Sequence, residues 1–222
     1  MVIDQLNMTN LQKELIPFKA KNKKRIGEQE GDGGYVVSMG HLSNNLISLG
    51  CCDNTSFEES YLKHTKGDYS VNIYDGQGGC PLAQTDLNVT FYNKNVYSLD
   101  ELDLEKDSVL QCDIEGAEFE LFSGNLEKMK NLKQICLEVH FNIGKPIEEW
   151  VEIFKKINLT HSLIHIHGNN CIQSFIEGVP MVTELTYILS KDLEVHDLKC
   201  PDPSLDQPNN KNLPELQFCW WL

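Results

Sequence analysis

A glycine and an acidic residue end two successive apolar runs that have the length of buried strands. Gly50 ends the run ISLG, and Asp75 ends the next run, VNIYD. A glycine at such a turn lets the backbone approach a ligand closely, and an acid at the end of the next strand suits the hydroxyls of a ribose. A dinucleotide fingerprint needs further glycines after Gly50, and their absence argues against pyrophosphate. The pair Gly50 and Asp75 therefore predicts a nucleoside site.

The segment QCDIEGAEFELF brings three carboxylates to the end of another apolar run and the start of a helix. The helix dipole favours acids in a first turn, which accounts for Glu115 and Glu118 without a function. It does not account for Asp113, which directly follows the apolar run. We therefore expect Asp113 at the mouth of the site.

Histidines alternate with other side chains near the ends of two further apolar runs. Glu138 and His140 share one face of ICLEVHF, and His165 and His167 share one face of LIHIHG. An imidazole of near-neutral pKa is a natural general base for an alcohol. Carboxylates and an imidazole can instead hold a divalent metal that lowers the pKa of the hydroxyl, with Asp113, Glu138 and His140 as candidate ligands. The sequence leaves the base and the metal as alternatives.

Seven apolar runs of strand length must position these side chains. They are Leu46–Leu49, Val71–Tyr74, Asn88–Phe91, Ser108–Cys112, Gln134–Val139, Leu163–His167 and Met181–Leu189. Predicted helices between them are Thr55–His64, with Thr55 and Glu58 at capping-box spacing, Glu115–Phe122, and an amphipathic helix opened by Pro146. Near-continuous apolar strands that alternate with helices predict a doubly wound, mostly parallel α/β sheet, and the last run suits an antiparallel strand.

The chain is predicted to form a single domain, with residues 26–196 as the catalytic core. Residues 1–25 hold an N-terminal helix and the basic cluster from Lys19 to Arg25. This cluster is expected to be the solvated end of that helix or a patch that binds an anionic substrate. Residues 197–222 form a proline-containing tail that ends in LQFCWWL. Because this terminus is apolar, we expect it to dock on the domain or on a second subunit.

Net charge and cysteine usage narrow the classes of partner. With 33 acidic and 19 basic side chains the formal net charge is −14, which disfavours nucleic acid and anionic membranes. The N-terminal sequence has no secretory pattern, and no apolar stretch has the length of a membrane span. The eight cysteines lack C-x-x-C spacing and several lie in apolar runs, which indicates free thiols in a cytoplasmic protein.

Over roughly residues 24–190 the chain resembles the FkbM-type methyltransferases. The likeness rests on the segments RIGEQEGDGGYVV, ISLGCCDNTSFE, IYDG, SLDEL, CDIEGAEFELF and ICLEVHF, in this order. It departs from the family at Cys51 and Cys52, where a second glycine is usual. The resemblance implies the class I methyltransferase fold, a Rossmann-like sheet of seven strands with the last antiparallel, and S-adenosylmethionine as cofactor.

The resemblance also assigns roles to residues. It implies Gly50 beneath the methionine part of the cofactor, Asp75 and Gly76 at the ribose, and Asp113 at the methyl sulfonium. The remaining cofactor residues that it implies are Ser98 and Leu99 at the adenine, and Gly33, Gly34 and Tyr35 over the amino-acid end.

Family members that resemble this chain usually methylate oxygen, often on sugars. The resemblance therefore implies an O-methyltransferase that acts on a small-molecule hydroxyl, with a nucleotide-linked sugar as one candidate acceptor. His140 is the expected base, with Asp113 orienting its imidazole. The expected acceptor contacts are Glu115, Glu138, His165 and His167. The sequence does not decide whether the protein forms a homo-oligomer.

Two other classes of function compete with this one. A metal-dependent hydrolase would use His140, His165 and His167 and would need neither Gly50 nor Asp75. A non-catalytic interaction module would keep the fold and use the apolar C-terminus as its contact surface.

Overall fold

The structure is a computed structural model that describes residues 7–190, 193 and 200–221. Its strands are β1 (Lys23–Gly27), β2 (Gly34–Ser38), β3 (Asn45–Leu49), β4 (Ser70–Tyr74), β5 (Val89–Tyr92), β6 (Ser108–Cys112), β7 (Leu132–His140), β8 (Ser162–Gly168), β9 (Phe175–Ile176), β10 (Val179–Pro180) and β11 (Val182–Ile188). Its α-helices are α1 (Asn10–Glu14), α2 (Ser56–Leu62), α3 (Pro81–Thr85), α4 (Glu118–Ser123) and α5 (Ile147–Ile157).

A seven-stranded sheet with the order β5-β4-β3-β6-β7-β11-β8 forms the centre of the molecule. The strands from β3 to β7 pair in parallel, and β11 runs antiparallel to both of its neighbours. All seven apolar runs of the sequence are strands of this sheet, so the predicted fold class and its antiparallel last strand are confirmed. The order reverses between β3 and β6, which is where sheets of this kind bind ligands.

Alternate side chains of each strand face two hydrophobic cores. Ile47 and Leu110 contribute to a core that includes α1, α4 and α5, whereas Leu46 and Val109 contribute to one that includes the β1–β2 hairpin and α2. Helix α5 buries one apolar stripe, including Trp150, as its periodicity predicts. The polar side chains of the site therefore stand at the strand ends, between two apolar layers.

The basic cluster belongs to a hairpin, and the expectation that it is a solvated helix end is wrong. Helix α1 ends well before it, and Lys23–Arg25 lie in β1, which pairs antiparallel with β2. Arg25 is buried and its guanidinium donates to the carbonyl oxygens of Glu28 and Gly31. The turn, with Gly33 at φ +89°, folds β2 back onto the cluster, and the ladder of hydrogen bonds overrides the helix propensity of lysine.

The capping box expected at the start of α2 is also wrong. The Thr55 side chain makes no hydrogen bond to a helix amide and donates to the Glu59 carboxylate at 3.0 Å instead. Glu58 is fully buried and accepts a hydrogen bond from the Ser48 hydroxyl of β3. The Glu58 carboxylate therefore faces the sheet and does not close a capping box with Thr55. Burial there raises its pKa.

The C-terminal segment docks on the domain, as its apolar sequence leads us to expect. Trp221 is 1% exposed and contacts the rings of Phe218 and Trp220. The indole N–H of Trp220 donates to the backbone oxygen of Gln12 in α1 at 2.9 Å. The predicted boundary between residues 196 and 197 lies outside the described residues.

The cysteines are free thiols, in line with their spacing in the sequence. Cys52 and Cys171 are exposed, whereas the thiol of Cys136 in β7 is fully buried. Across the described part of the chain, no helix combines the length and the apolar character needed to cross a bilayer.

Candidate active site

The loops after β3 and β6 meet where the strand order reverses. Gly50 follows β3 with a φ of +81°, and a Cβ at this position would lie 1.7 Å from the carbonyl oxygen of Asp113. Only glycine allows this approach, because a side chain would overlap the backbone of the neighbouring loop. The amides of Gly50 and Asp113 donate to the carbonyl oxygens of Tyr74 and Leu49 at 2.9 and 3.0 Å. The sheet thus fixes both loops.

Asp75, which follows β4, is 5% exposed and is held by backbone amides. Its Oδ2 accepts from the Cys52 amide at 2.7 Å, and its Oδ1 accepts from the amides of Gln77 and Gly78 at 2.7 and 3.1 Å. Burial raises the pKa of this carboxyl, but the hydrogen bonds outweigh burial and hold the pKa below its usual value. Asp75 is therefore a fixed carboxylate in the wall of the site.

A cleft of about 210 Å³ extends from these loops past the end of β4. The predicted site residues that line it are Gly50, Asp75, Gly76, Asp113 and Glu115. A Cβ on Gly76 would lie 2.1 Å from Oδ1 of Asn95, so this glycine lets the Asn95 loop close over the cleft. The cleft is lined by residues that follow β3, β4, β5 and β6.

Neither residue that the resemblance implied for the adenine lines this cleft. Leu99 is fully buried in the hydrophobic core, and the Ser98 hydroxyl accepts a hydrogen bond from the Asp100 amide. The residues immediately before them line it instead, namely Asn95, Val96 and Tyr97. The lining residues come earlier in the chain than the resemblance implied because Ser98 caps a 3-10 helix, Leu99–Glu101, and the side chain of Leu99 points into the core.

A second cavity, of about 190 Å³, lies beneath the turn between β1 and β2. Asp32, Gly33 and Tyr35 line one side, and the residues that it shares with the first cleft are Gly50, Cys52, Asp113 and Glu115. Gly34 does not line it; a Cβ on Gly34 would lie 2.1 Å from the carbonyl oxygen of Glu28, so this glycine allows the turn to close. The two cavities thus meet at the loops that follow β3 and β6.

Asp113 and His140 form the titratable centre of the site. Desolvation raises the pKa of Asp113 to about 7, although nearby His140 and a hydrogen bond from the Tyr35 hydroxyl at 2.9 Å act in the opposite direction. Burial lowers the pKa of His140, but the carboxylates outweigh it and raise that pKa. The imidazole Nδ1 lies 3.3 Å from Glu118 and its Nε2 lies 3.4 Å from Glu115. Asp113 can therefore exchange a proton near neutral pH, and His140 holds its proton more strongly than a free imidazole does.

His165 and His167 lie on edge strand β8 and have partners at both ring nitrogens. His165 lies 2.7 Å from Asp206 and 3.3 Å from the Lys23 amine. His167 lies 3.0 Å from Glu184 and 2.6 Å from Glu215. Strand β11 separates them from His140 on β7. The structure therefore does not assemble the three histidines into one cluster.

Two groups of three side chains in the described ranges, 7–190, 193 and 200–221, bring ligand atoms within 4.8 Å of one another. They are Asp113, Glu115 and His140, and Asp32, Glu138 and Glu184. The metal ligands predicted from the sequence, Asp113, Glu138 and His140, combine members of both groups. Glu138 lies 3.7 Å from His140, but it stands opposite Glu184 of β11 and belongs to the second group. Glu184 was missed, although an acid within the apolar run VTELTYI was a signal. Asn209 gave no comparable signal in the tail.

The order of the sheet, its antiparallel β11 and a cleft at the strand-order reversal define a class I methyltransferase fold. A model of the methyltransferase FkbM domain matches residues 16–163, about two thirds of the chain. The chain belongs to the FkbM methyltransferase family. This membership implies S-adenosylmethionine as the methyl donor, and the cleft fits it, since Asp75 offers a fixed carboxylate in its wall.

Solved structures with a similar fold are distant in sequence. A chain of a fibrillarin/Nop5p complex is 10% identical, with a TM-score of 0.45 over 70% of this chain and 75% of that one. A chain described as an rRNA methylase from Clostridium thermocellum is 11% identical, with a TM-score of 0.42 over 66% of this chain and 89% of that one. The plantazolicin methyltransferase BamL is 12% identical, with a TM-score of 0.41 over 67% and 77%. The comparison with curated proteins gives no match.

Proposed function

We propose that this protein transfers a methyl group from S-adenosylmethionine to a hydroxyl of a small molecule, with sugars and nucleotide-linked sugars as the leading acceptors. The observation that carries this proposal is that a ring nitrogen of His140 lies within 4.8 Å of the carboxylate of Asp113, and Asp113 lines both cavities. An alcohol must lose a proton to accept a methyl group, and this pair offers a base beside the cofactor cleft. When bound, the cofactor supplies an electrophilic methyl on a sulfonium.

The residues that would hold the cofactor line the cleft and the second cavity. Asp75 would accept hydrogen bonds from the ribose, the Asn95–Tyr97 loop would contact the adenine, and the Asp32–Tyr35 turn would cover the amino-acid end. Asp75 keeps its orientation through three backbone amides, so its lone pairs are positioned before the ligand arrives. Positioning of this kind supplies much of the rate of an in-line displacement.

His140 takes the proton of the acceptor hydroxyl, and the surrounding carboxylates stabilise the imidazolium that forms. The carboxylates of Glu115 and Glu118 lie within 3.4 Å of its two ring nitrogens, which supports this role. Their effect on the pKa of His140 also means that the free base is scarce in acid, so turnover should rise with pH. A divalent metal held by Asp113, Glu115 and His140 is the alternative means of lowering the hydroxyl pKa.

The competing classes have less support. The hydrolase needs His140, His165 and His167 in one cluster, and β11 separates His140 on β7 from the two histidines on β8. The interaction module offers no reason for a carboxylate that three backbone amides fix in the wall of a cleft, as they do Asp75.

A panel of acceptors with methyl-labelled cofactor tests the proposal. Neutral sugars and nucleotide sugars are incubated with the wild-type protein and with Asp75→Ala, His140→Ala and the exposed control Asp68→Ala. Asp75→Ala should abolish binding of S-adenosylhomocysteine, whereas His140→Ala should bind it normally and turn over about 10²–10⁴-fold more slowly. Wild-type turnover by His140→Ala would contradict the assignment of the base, and unchanged turnover after chelation would remove the metal alternative.

A further inference from the structure

A second acidic cluster lies next to the proposed active site, on the face of the sheet that the β1–β2 hairpin covers. Glu138 on β7 stands directly opposite Glu184 on β11, and Asp32 reaches them from the hairpin turn. One carboxylate oxygen from each residue lies within 4.8 Å of the other two. Glu138 and Glu184 are 3% and 5% exposed, so water cannot compensate their charge freely.

Two buried atoms at this cluster have no hydrogen-bond partner. Oε1 of Glu138 accepts from the Asn169 amide at 3.0 Å, but Oε2 of Glu138 is buried without a partner. The side chain of Asn209, 8% exposed, donates through Nδ2 to Asp32 at 2.8 Å and to Glu184 at 2.7 Å, and its Oδ1 has no partner. Buried polar atoms in native proteins are nearly always satisfied, so Oε2 of Glu138 indicates a ligand at the cluster, whereas Oδ1 of Asn209 lies on the side of the amide opposite to the Nδ2 that faces it.

Two positive groups lie near the cluster. His167 contacts Glu184 at 3.0 Å and Glu215 at 2.6 Å, so it shares its charge between two carboxylates. Arg25 favours the charged form of Glu184; its Nε and Nη2 donate to backbone carbonyls, and its Nη1 has no hydrogen-bond partner. Burial and the carboxylates of Asp113, Glu184 and Asp32 all oppose ionisation of Glu138, and a bound cation would relieve this opposition.

We propose that Asp32, Glu138 and Glu184, with the amide oxygen of Asn209, bind a hard divalent cation such as Mg²⁺, Mn²⁺ or Ca²⁺. Oxygen donors alone select this class, and oxygens at about 2.0–2.6 Å from a common centre are at most about 5 Å apart. Turning the Asn209 amide about its last bond exchanges Nδ2 and Oδ1, and this brings a fourth oxygen to the cluster.

This site differs from the group formed by Asp113, Glu115 and His140. There the imidazole introduces a nitrogen donor, and the Glu115 side chain is 73% exposed. In the second cluster the ligands are all oxygens, and β7 and β11 fix two of them in register. Its use in catalysis rests on the proposed function: a cation beside Asp113 can bind hydroxyls of the acceptor and lower their pKa.

Binding of Mn²⁺ alone tests the site without cofactor or acceptor, so its result is independent of methyl transfer. Chelator-treated protein is titrated with Mn²⁺ and the free ion is followed by electron paramagnetic resonance, with Mg²⁺ and Ca²⁺ as competitors. The wild type should bind one Mn²⁺ per chain. Asp32→Asn and Glu138→Gln should each weaken binding by at least about tenfold, a loss typical of ligand-shell changes. The control Glu30→Gln removes an exposed acid of the same turn and should bind like the wild type.

Three outcomes would overturn the proposal. The first is a wild-type protein that binds no Mn²⁺ at millimolar concentration. The second is wild-type affinity in Asp32→Asn; this exposed position should tolerate the change even if Glu138→Gln fails to fold. The third is loss of Mn²⁺ in Glu115→Gln while Asp32→Asn retains it, which would place the cation in the other group.

Discussion

Replacement of Gly50 by alanine should damage stability and cofactor binding together. The φ of +81° costs an L-residue about 1–2 kcal/mol. The new Cβ would start 1.7 Å from the carbonyl oxygen of Asp113, so the β6 loop must move, and such overpacking costs about 1–3 kcal/mol. The expected loss is therefore roughly 2–5 kcal/mol, a large part of the roughly 5–15 kcal/mol that a domain has.

Gly79→Ala is the matched control for this variant. Gly79 lies in the loop after Asp75, and a Cβ there would meet no atom within 4 Å. Urea unfolding gives the free energies, and calorimetric titration with S-adenosylhomocysteine gives the affinities. We expect Gly79→Ala to match the wild type and Gly50→Ala to bind at least about tenfold more weakly, a change of 1.4 kcal/mol. Equal stability and affinity of the two variants would refute the close approach of the β3 and β6 loops.

Further predictions concern the tail and the pH response. Trp221→Ala should lower the free energy of unfolding by about 3–5 kcal/mol, since the ring is 1% exposed, while Leu159→Ala, 76% exposed, should change it by under about 0.5 kcal/mol. The pKa of Asp113 rises to about 7 on folding, so the folded state holds a proton that the unfolded state releases, and stability should fall as pH rises from about 4 through 7. Asp113→Asn should flatten that decline, and melting temperatures at several pH values measure it. If both proteins decline equally, Asp113 is not the titrating group.

The sequence predicted the sheet well because its inner strands bury apolar residues on both faces. Ser108–Cys112, for example, is fully buried, so its apolar run has the same bounds in sequence and structure. The β1–β2 hairpin was not predicted as such, because Lys23–Arg25 is a poor strand by composition. Its pairing depends on the Gly33 turn and on contacts with β7 and β11, such as the hydrogen bond from the Ser38 amide to the Gln134 side chain at 2.7 Å.

Residues at strand ends could be predicted, whereas residues joined only by tertiary packing could not. Gly50, Asp75 and Asp113 each follow a strand, and parallel strands bring their ends to one edge. Glu184 and Asn209 come together through the antiparallel pairing of β11 and the path of the tail, which no local pattern encodes.

A crystal structure with S-adenosylhomocysteine would show whether the ends of β3, β4 and β6 bind the cofactor. We expect the ribose hydroxyls within hydrogen-bond distance of the Asp75 carboxylate, the adenine against the Asn95–Tyr97 loop, and the sulfur facing Asp113 and His140. A nucleoside bound away from the ends of β3, β4 and β6, with Asp75 making only its backbone hydrogen bonds, would contradict this expectation.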